Sequence, residues 1–583
     1  MTILGVEDPQ DWRRARDARG LLRVFNDAGI LETADVHVAA RLTALAEEPD
    51  EAVALAVALA VRGLRAGSVC VDLRTVAAEI GGEVPWPDTE GWLAALRKSP
   101  LLGTPPVLRL YGESLLYLDR YPREEEQVCA DLLATRAEAV PVDAAALAAG
   151  LDRVFPAPKF VEQRAAAQIA LSQWTTVLTG GPGTGKTTTV AGLLALLAEQ
   201  AELAGRTRPR IALAAPTGKA SARLQQAVQD RIDNLSADDQ ARLSGLQAVT
   251  LHRLLGSRPD TSARFRHHRA NRLPYDVIVV DETSMVPLTM MARLLESVRP
   301  ATRLILVGDP DQLASVEAGA VLADLVDGLG ARQDLRVAAL HTSHRFGETI
   351  GALAEAIRGG DGDAVLELLR AGGEHIEYLE TEDPAARLRE VLLPHALAVR
   401  SAAVQGRADA ALAALDGHRL LCAHREGPQG VRHWNRQIER WLTEETGEAL
   451  WTNWYVGRPV LVTANDYGLK LYNGDTGVAI LDGETLRVAI GSTSGLVDFA
   501  TSRLAEVETM HAMTIHKSQG SQADEVTVLL PTEDSRLLTR ELFYTAVTRA
   551  KVKVRVVGTE AGERAALERR VVRATGLRQR LAQ

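Results

Sequence analysis

The stretch Thr179-Gly180-Gly181-Pro182-Gly183-Thr184-Gly185-Lys186-Thr187-Thr188 decides the fold of this chain. The apolar residues 175–178 precede it, and an apolar run with helical spacing follows at 190–197. The motif G-x-x-x-x-G-K-[ST] thus lies in the strand–loop–helix setting that it requires. Glycines let several backbone N–H groups point at one phosphate, and the dipole of the following helix favours the same anion. The pattern predicts a phosphate-binding loop and a nucleoside triphosphate as its ligand.

The residues of this loop have separate expected roles. Lys186 is expected to reach the β- and γ-phosphates, and the Thr187 hydroxyl is expected to ligate Mg²⁺. A glycine-rich turn without a ligand is the alternative, but the complete consensus in its context favours a triphosphate. The predicted nucleotide-binding residues are Gly180, Gly181, Pro182, Gly183, Thr184, Gly185, Lys186, Thr187 and Thr188.

The composition bounds the class of protein. With an apolar fraction of 46%, the 583 residues support packed cores, about three or four domains at ~150 residues each. A formal net charge of −10 argues against a general coat for nucleic acid, but a motor needs only a locally basic channel. No apolar run approaches the ~20 residues of a membrane span, and the first residues lack the apolar stretch of a signal peptide. Three cysteines without a C-x-x-C pair indicate neither a disulfide framework nor a zinc site. We therefore expect a cytoplasmic protein with no membrane partner.

The chain divides into three expected regions. Residues 1–152 are predicted to form a mostly helical domain that is either structural or partner-binding; the resemblance described below implies that it docks on a partner. From residue 153 onward, short apolar strands alternate with helical stretches, which predicts an α/β fold with parallel sheets covered by helices on both faces. Two such blocks are expected, at 153–350 and 351–583. A basic stretch interrupts the first block at about 256–274, and hairpin turns in the second predict a small β-barrel-like insertion at about 455–508.

Two further strands of the first block end in polar residues. The buried-type strand 277–280 runs into Asp281 and Glu282. At the carboxyl end of such a strand, Asp281 would hold Mg²⁺, and Glu282 would orient and deprotonate the attacking water. After the strand at 304–307, Gln312 could hydrogen-bond the γ-phosphate or that water.

Two further arginines complete the expected catalytic set. Arg345 lies in Ser343-His344-Arg345-Phe346, and Arg549 lies in the motif at 544–551. An arginine that reaches the phosphates from a second lobe contributes ~10³–10⁵ in turnover. Most arginines are solvated or paired with carboxylates, so these two gain weight only from the whole set.

The ordered motifs extend over residues 160–560. They are Gln163, GGPGTGKTT (180–188), APTGKASARL (215–224), LHRLLG (251–256), VDETSMV (280–286), GDPDQLASVEAG (308–319), SHRF (343–346), TIHKSQGSQADEV (514–526) and YTAVTRAK (544–551). This set resembles superfamily 1 helicases, and specifically the RecD branch.

The resemblance implies two RecA-like lobes of a P-loop NTPase, with ATP and Mg²⁺ in the cleft and single-stranded DNA across their top. By motif position, Gln163 would contact adenine, and Arg345 and Arg549 would contact the γ-phosphate. One departure is Glu162, which stands where RecD-type chains often carry an aromatic residue. The residues implied to contact DNA are Pro216, Thr217, Lys219, His252, Thr514, His516 and Lys517.

Three other features have interpretations of their own. The basic stretch 256–272 contains Phe265 and Arg266, as a DNA-contacting hairpin needs; a pin at the fork and a flexible solvated loop are both open. The basic tail at 569–580 is interpreted as a solvated helix face. Four tryptophans are interpreted as packing residues rather than base platforms, namely Trp434, Trp441, Trp451 and Trp454.

The leading hypothesis from the resemblance is an ATP-dependent 5′→3′ DNA helicase. It would be the motor subunit of a heterotrimer with RecB-like and RecC-like subunits that processes forked DNA at double-strand ends for recombinational repair. No grouping of Asp, Glu and Lys in the sequence indicates a nuclease, so a partner would cut the DNA. The alternatives are a stand-alone helicase, a DNA-dependent nucleotide switch that gates assembly, and, more distantly, a small-molecule kinase.

Overall fold

The protein is described by a computed structural model over residues 13–134, 140, 142–258, 261–332, 334–342, 348–448, 452–466, 468–492, 495–571 and 573–583. Within these ranges, no helix is both long and apolar enough to cross a bilayer.

The N-terminal region combines helices with a small antiparallel sheet. Its strands pair in the order β1-β3-β2, and buried side chains such as Phe25 and Trp92 form a separate core. The region is mostly helical as expected. The apolar run 107–111 also indicates a strand, and β2 lies there, but its pairing with β3 was not expected. Its elements are α1 Gly20–Asp27, α2 Thr33–Leu45, α3 Glu51–Arg65, β1 Cys70–Asp72, α4 Val76–Ile80, α5 Thr89–Lys98, β2 Leu108–Tyr111, β3 Leu115–Leu118 and α6 Arg120–Leu133.

A six-stranded parallel sheet forms the next layer, in the order β11-β4-β10-β9-β5-β6. Helix α9 is buried on most of its surface, as its nearly continuous apolar sequence requires. The elements are α7 Ala144–Val154, α8 Val161–Ser172, β4 Thr175–Gly180, α9 Lys186–Leu203, β5 Ile211–Ala215, α10 Gly218–Ile232, α11 Ala237–Leu243, β6 Ala248–Thr250, α12 Leu251–Leu255, β7 Ser257–Arg258, β8 Thr261–Phe265, β9 Val277–Val280, α13 Leu288–Ser297, β10 Arg303–Gly308, α14 Val321–Ala331 and β11 Val337–Leu340.

A second parallel sheet has five strands, in the order β12-β21-β20-β13-β19. An antiparallel sheet, β17-β16-β15-β14-β18, is inserted between β13 and β19. The elements are α15 Glu348–Gly359, α16 Gly362–Ala371, β12 Ile376–Glu380, α17 Ala385–Val404, α18 Ala408–Gly417, β13 His418–Cys422, α19 Val431–Thr446, β14 Pro459–Val462, β15 Thr476–Asp482, β16 Thr485–Ser492, β17 Gly495–Ala500, β18 Val507–Thr509, β19 Ala512–Thr514, β20 Ala523–Leu529, α20 Arg540–Val547, β21 Ala550–Gly558, α21 Glu560–Glu568 and α22 Leu577–Ala582.

The structure differs from two expectations, one about a domain boundary and one about the exposure of the basic tail. Helix α7 crosses the expected boundary at 152, and its Leu151 and Val154 pack in the core of the first parallel sheet. The basic tail is not a solvated face, because α22 packs against α14 and α6. The Arg580 side chain is 10% exposed, pairs with Glu125 at 3.3 Å, and lies 3.6 Å from the centroid of the Tyr111 ring. The chain therefore returns from the second sheet to the first at its end.

Candidate active site

The phosphate loop connects β4 to α9, and its shape requires glycine. Gly183 and Gly185 have φ angles of 83° and 86°, in the left-handed region. A Cβ on Gly180 would lie 2.8 Å from the Leu340 carbonyl oxygen, and one on Gly181 would lie 3.0 Å from the Tyr544 hydroxyl. Backbone rather than side chains therefore faces the space where phosphates are expected.

Lys186 begins α9 and lies over the same loop. Its Nζ donates to the carbonyl oxygens of Gly180 and, at 2.8 Å, of Gly181. Burial lowers the pKa of this amine, while the carboxylates of Asp309 and then Glu282 act in the opposite direction. The lysine is thus a cation held among acids, next to the expected phosphates.

Asp281 and Glu282 follow β9 at the carboxyl edge of the first sheet. Asp281 Oδ1 accepts the backbone N–H of Glu282 at 2.9 Å. Burial, and next the neighbouring Glu282 carboxylate, raise the pKa of Asp281 above its usual range. Glu282 has a φ of 51°, a conformation that costs a non-glycine residue ~1–3 kcal/mol and clusters at functional sites.

Asp281 and Thr187 line one cavity with Lys186. A carboxylate and a hydroxyl are ligands that Mg²⁺ accepts, with waters and substrate phosphates completing its octahedron. The donor set therefore fits the metal.

A chain of hydrogen bonds links the two parallel sheets beside this cavity. Gln312 donates from Nε2 to Asp309 at 2.8 Å, and its Oε1 accepts from Arg549 Nη2 at 2.8 Å. The Tyr544 hydroxyl, from α20 of the second sheet, donates to the same Asp309 at 3.2 Å. Leu313 N–H donates to Thr545 Oγ1 at 2.9 Å. All of these side chains are buried, so the contact excludes water.

Asp309 and Tyr544 were missed as site residues, although both lie inside motifs quoted above. The motif at 308–319 places Asp309 three residues before Gln312, and the sequence has no signal for its partner on the other sheet. Burial, and next the Asp309 carboxylate, raise the pKa of Tyr544, so the phenol keeps its proton and donates.

The cavity has a volume of about 540 Å³. Gln163 lines it, and its Nε2 donates to the Thr184 carbonyl oxygen at 2.9 Å, which ties α8 to the phosphate loop. Other residues of the wall were not predicted: Phe160, Arg223, Arg231 and Gln522. The Arg231 guanidinium lies 5.4 Å from the Phe160 ring centroid. The spacing of Arg223 and Arg231 on one helix face was the signal available for them.

Glu162 has a structural partner at the position where an aromatic residue was expected. Its carboxylate accepts the backbone N–H groups of His341 at 2.9 Å and Thr342 at 3.0 Å, and the Thr342 hydroxyl at 2.9 Å. These hydrogen bonds outweigh partial burial and hold the pKa of Glu162 below its usual range. Arg345, which follows Thr342 by three positions in the sequence, is outside the described residues.

The residues implied to contact DNA come from loops of both sheets. Pro216 and Thr217 follow β5, and the Thr217 hydroxyl caps α10 by accepting Ala220 N–H at 3.2 Å. Thr514 ends β19, and its hydroxyl accepts Lys517 N–H at 3.2 Å. The two sets are close together, because a Cβ on Gly520 would lie 3.4 Å from the Ala220 Cβ.

The remaining implied DNA contacts differ in environment. The loop between β14 and β15 lies against the partly buried Lys219, since a Cβ on Gly474 would lie 3.9 Å from the Lys219 Cβ. Burial, and next Arg419, lower the pKa of Lys219 to about 8. His516 is partly buried, whereas His252 and Arg266 are exposed. The described residues of the basic stretch include the antiparallel pair of β7 and β8.

Three family models match separate parts of the chain. The N-terminal domain of RecBCD enzyme subunit RecD matches residues 27–109, an AAA domain matches 163–318, and a UvrD-like helicase C-terminal domain matches 509–557. Together with the phosphate loop and the parallel sheets, they define a P-loop ATPase of the helicase class.

Comparisons with individual proteins identify the family within this class. The RecBCD enzyme subunit RecD of Mycolicibacterium smegmatis is 70% identical, over 96% of this chain and 99% of the relative. The subunit of the same description from Mycobacterium tuberculosis is 68% identical, over 97% of this chain and 98% of the relative. A crystal structure of Pif1 helicase from Bacteroides with ADP-AlF3 and ssDNA matches with a TM-score of 0.39 and 16% identity, over 69% of this chain and 93% of that chain. The chain belongs to the family of RecBCD enzyme subunit RecD, which confirms the resemblance drawn from the motifs.

Proposed function

We propose that this chain is an ATP-dependent DNA helicase, the 5′→3′ motor subunit of a RecBCD-type complex with RecB-like and RecC-like subunits. It would act on single-stranded and forked DNA at broken double-strand ends. The observation that carries the mechanism is the bond from Arg549 to Gln312 to Asp309, because it joins the two parallel sheets beside the phosphate loop. Binding or hydrolysis of ATP would then alter the contact between the two sheets.

The domain proposal follows the cores of the described residues. The N-terminal domain extends to about residue 134, and the two parallel sheets are RecA-like lobes. The hairpin β7–β8 would be the pin of the first lobe, and the sheet of β14–β18 would be the small barrel of the second. Helix α7 is assigned to the first lobe, since Leu151 is in its core.

The proposed chemistry assigns each group one task. Lys186 and Arg549 stabilise the charge that develops on the γ-phosphate. Glu282 orients a water and accepts its proton, and Gln312 links that position to the second lobe. Thr187 and Asp281 would hold Mg²⁺, which supplies charge neutralisation between the β- and γ-phosphates when bound. Phe160 and Arg231 form an aromatic–cation wall that suits the base.

The bound strand would lie across both lobes. Thr217 from the first lobe and Thr514 and His516 from the second supply polar contacts to its backbone. Because Gly520 lies beside Ala220, closure of the cleft would change the spacing between these two sets. Repeated closure and opening would advance the chain along one strand.

Co-expression with the partner subunits tests the function. We expect the three chains to purify together and to displace a strand from a fork that has a 5′ single-stranded tail. The complex that contains Lys186→Gln should assemble but show no contribution of this motor on the same substrate, since hydrolysis is lost. The native and variant complexes differ only at Lys186, so the difference in strand displacement between them reports the contribution of this motor.

Two results would contradict the proposal. A stable, active monomer in cell extract would favour the stand-alone helicase. DNA-stimulated hydrolysis without strand displacement by the complex would favour the nucleotide switch.

A further inference from the structure

Helix α19 has two unlike faces. Trp434, Ile438, Trp441 and Leu442 are buried against the second sheet, which confirms Trp434 and Trp441 as packing residues. The opposite face carries Arg432, Arg436 and Arg440, all exposed and four residues apart. Successive guanidinium groups therefore repeat every ~6 Å along the helix axis.

These arginines line two adjacent cavities of about 460 and 490 Å³, and both cavities include Arg432 and Arg436. The second extends to Arg425, Arg458 and Trp454. We call this pair of cavities the α19 groove. In a chain of net charge −10, it gathers five arginines against three carboxylates, those of Glu426, Glu439 and Glu508.

The arginines differ in how firmly they are engaged. Arg432 pairs with Glu426 at 2.7 Å, and both side chains are more than half exposed. Among the described residues, Arg436 has no hydrogen bond or ion pair, and Arg440 contacts only Gln437 of its own helix. Exposed pairs of this kind contribute little to stability, so an anion of higher charge density competes with them.

The α19 groove is continuous with the loop of Thr514 and His516. Glu508 accepts from Lys517 Nζ at 2.9 Å on one side and from Arg425 Nη2 at 2.6 Å on the other. Asn435 of α19 is bonded to the strand that leads to this loop, through Thr509 O at 2.9 Å and Ala512 N at 2.8 Å. The groove and the loop are therefore held in one fixed arrangement.

The groove also contains an aromatic side chain. Trp454, interpreted above as a packing residue, does pack in part against the core of the inserted sheet, but it is only half-buried, and the Arg458 guanidinium lies 4.7 Å from its ring centroid. Trp451 lies outside the described residues. Arg458 is buried and fixed by a hydrogen bond from its Nε to Thr509 Oγ1 at 2.9 Å. A basic groove with an aromatic ring is the arrangement that binds single strands without reading their sequence.

We propose that the α19 groove is a further binding site for the backbone of single-stranded DNA, beyond the contacts of the helicase motifs. This rests on the proposed function, since the groove continues the track of Thr514, His516 and Lys517. An acidic protein segment would also meet the arginines, but the continuity with that loop and the tryptophan favour a nucleic acid strand.

The test compares short and long oligothymidylates on the full chain by fluorescence anisotropy over a range of salt concentrations. In the native chain, the long strand should bind more tightly and with a steeper salt dependence. The variant Arg432→Ala, Arg436→Ala, Arg440→Ala should lose that difference: its salt slope for the long strand should fall by about 2, at ~0.7 per phosphate contact of a single strand. Trp454→Ala should lower the long-to-short affinity ratio without a change in salt slope.

A matched variant controls for loss of charge. Arg370, Arg387 and Arg564 lie in exposed ion pairs elsewhere in the second lobe, and their triple alanine variant should keep the native ratio and slope. The proposal is overturned if the groove variant keeps the native dependence of affinity on strand length. It is also overturned if the variant no longer co-purifies with the partner subunits, because the groove would then be a protein interface. Failure of the native chain to bind even the short strand would contradict the proposed function itself.

Discussion

The two parallel sheets have the same architecture but supply different groups to the cleft. In the first sheet, β4 and β9 end in the phosphate loop and in Asp281 and Glu282, which lie around one cavity. In the second sheet, β19 ends at Thr514, and Arg549 between α20 and β21 reaches across to Gln312. The comparison supports the proposal that one fold serves two tasks: the first sheet would hold the nucleotide, and the second would respond to it.

The largest effect is expected from Arg549→Ala, which removes the group that the second sheet supplies to the cleft. We expect turnover to fall by ~10³ or more, since the arginine acts on charge that develops in the transition state. Nucleotide affinity should fall much less, because the first sheet retains its own contacts. Steady-state ATP hydrolysis with saturating DNA and a fluorescent nucleotide titration measure the two quantities. Equal losses in rate and affinity would mean that Arg549 only helps to bind the nucleotide.

A structural loss must be separated from a catalytic one in that variant. Arg549 is buried, and its Nε also donates to the Thr545 carbonyl oxygen at 3.0 Å. Arg549→Lys keeps the charge but not the planar fork that makes both bonds. If it folds like the native chain by thermal melting and still turns over slowly, the loss lies in the chemistry.

A smaller effect is expected for Tyr544→Phe. This change removes the phenol that donates to Asp309 from the second sheet but keeps the ring in its core. One hydrogen bond to a charged group contributes about 1.5–3 kcal/mol, so the midpoint of thermal unfolding should fall while hydrolysis at saturating ATP stays within about tenfold of native. Tyr378→Phe, which removes a phenol bonded to Glu563 away from the cleft, is the matched control. A loss of hydrolysis as large as that of Arg549→Ala would place Tyr544 in the chemistry instead.

Local patterns predicted the parts of the fold that depend on local sequence. The strand 277–280 and the phosphate loop stand where their apolar run and glycines indicated. The apolar run 107–111 indicated a strand, and β2 lies there, but its pairing with β3 through Gly112 and Glu113 was not predicted. The tail was misread because Arg580 is basic, yet its charge meets Glu125, more than 450 residues away in sequence.

In the candidate site, the residues within motifs were predictable from the sequence, but the contacts between the two sheets were not. Motif order identified the family and most of the cavity wall, including Lys186 and Glu282. Pairs between the sheets, such as Tyr544 with Asp309, depend on how two lobes meet and leave no trace in spacing. The α19 groove was hidden for a similar reason, since Arg458 and Glu508 lie outside the helix in sequence and meet its arginines only in the folded chain. The assigned roles of individual residues stay predictions.

The distance between the two sheets, followed during the nucleotide cycle, shows whether the second sheet responds to nucleotide held by the first. Cys70, Cys129 and Cys422 are buried, so Thr207→Cys in the first lobe and Glu367→Cys in the second, both at exposed positions, can be labelled for energy transfer. In a Glu282→Gln background, which should bind ATP and turn over far more slowly, ATP and single-stranded DNA should shift the distance to a new value that persists and that ADP does not maintain. The same labels with Arg549→Ala should show no such shift. An unchanged distance on ATP binding, or an equal shift without Arg549, would contradict the account that the second sheet responds to the nucleotide held by the first.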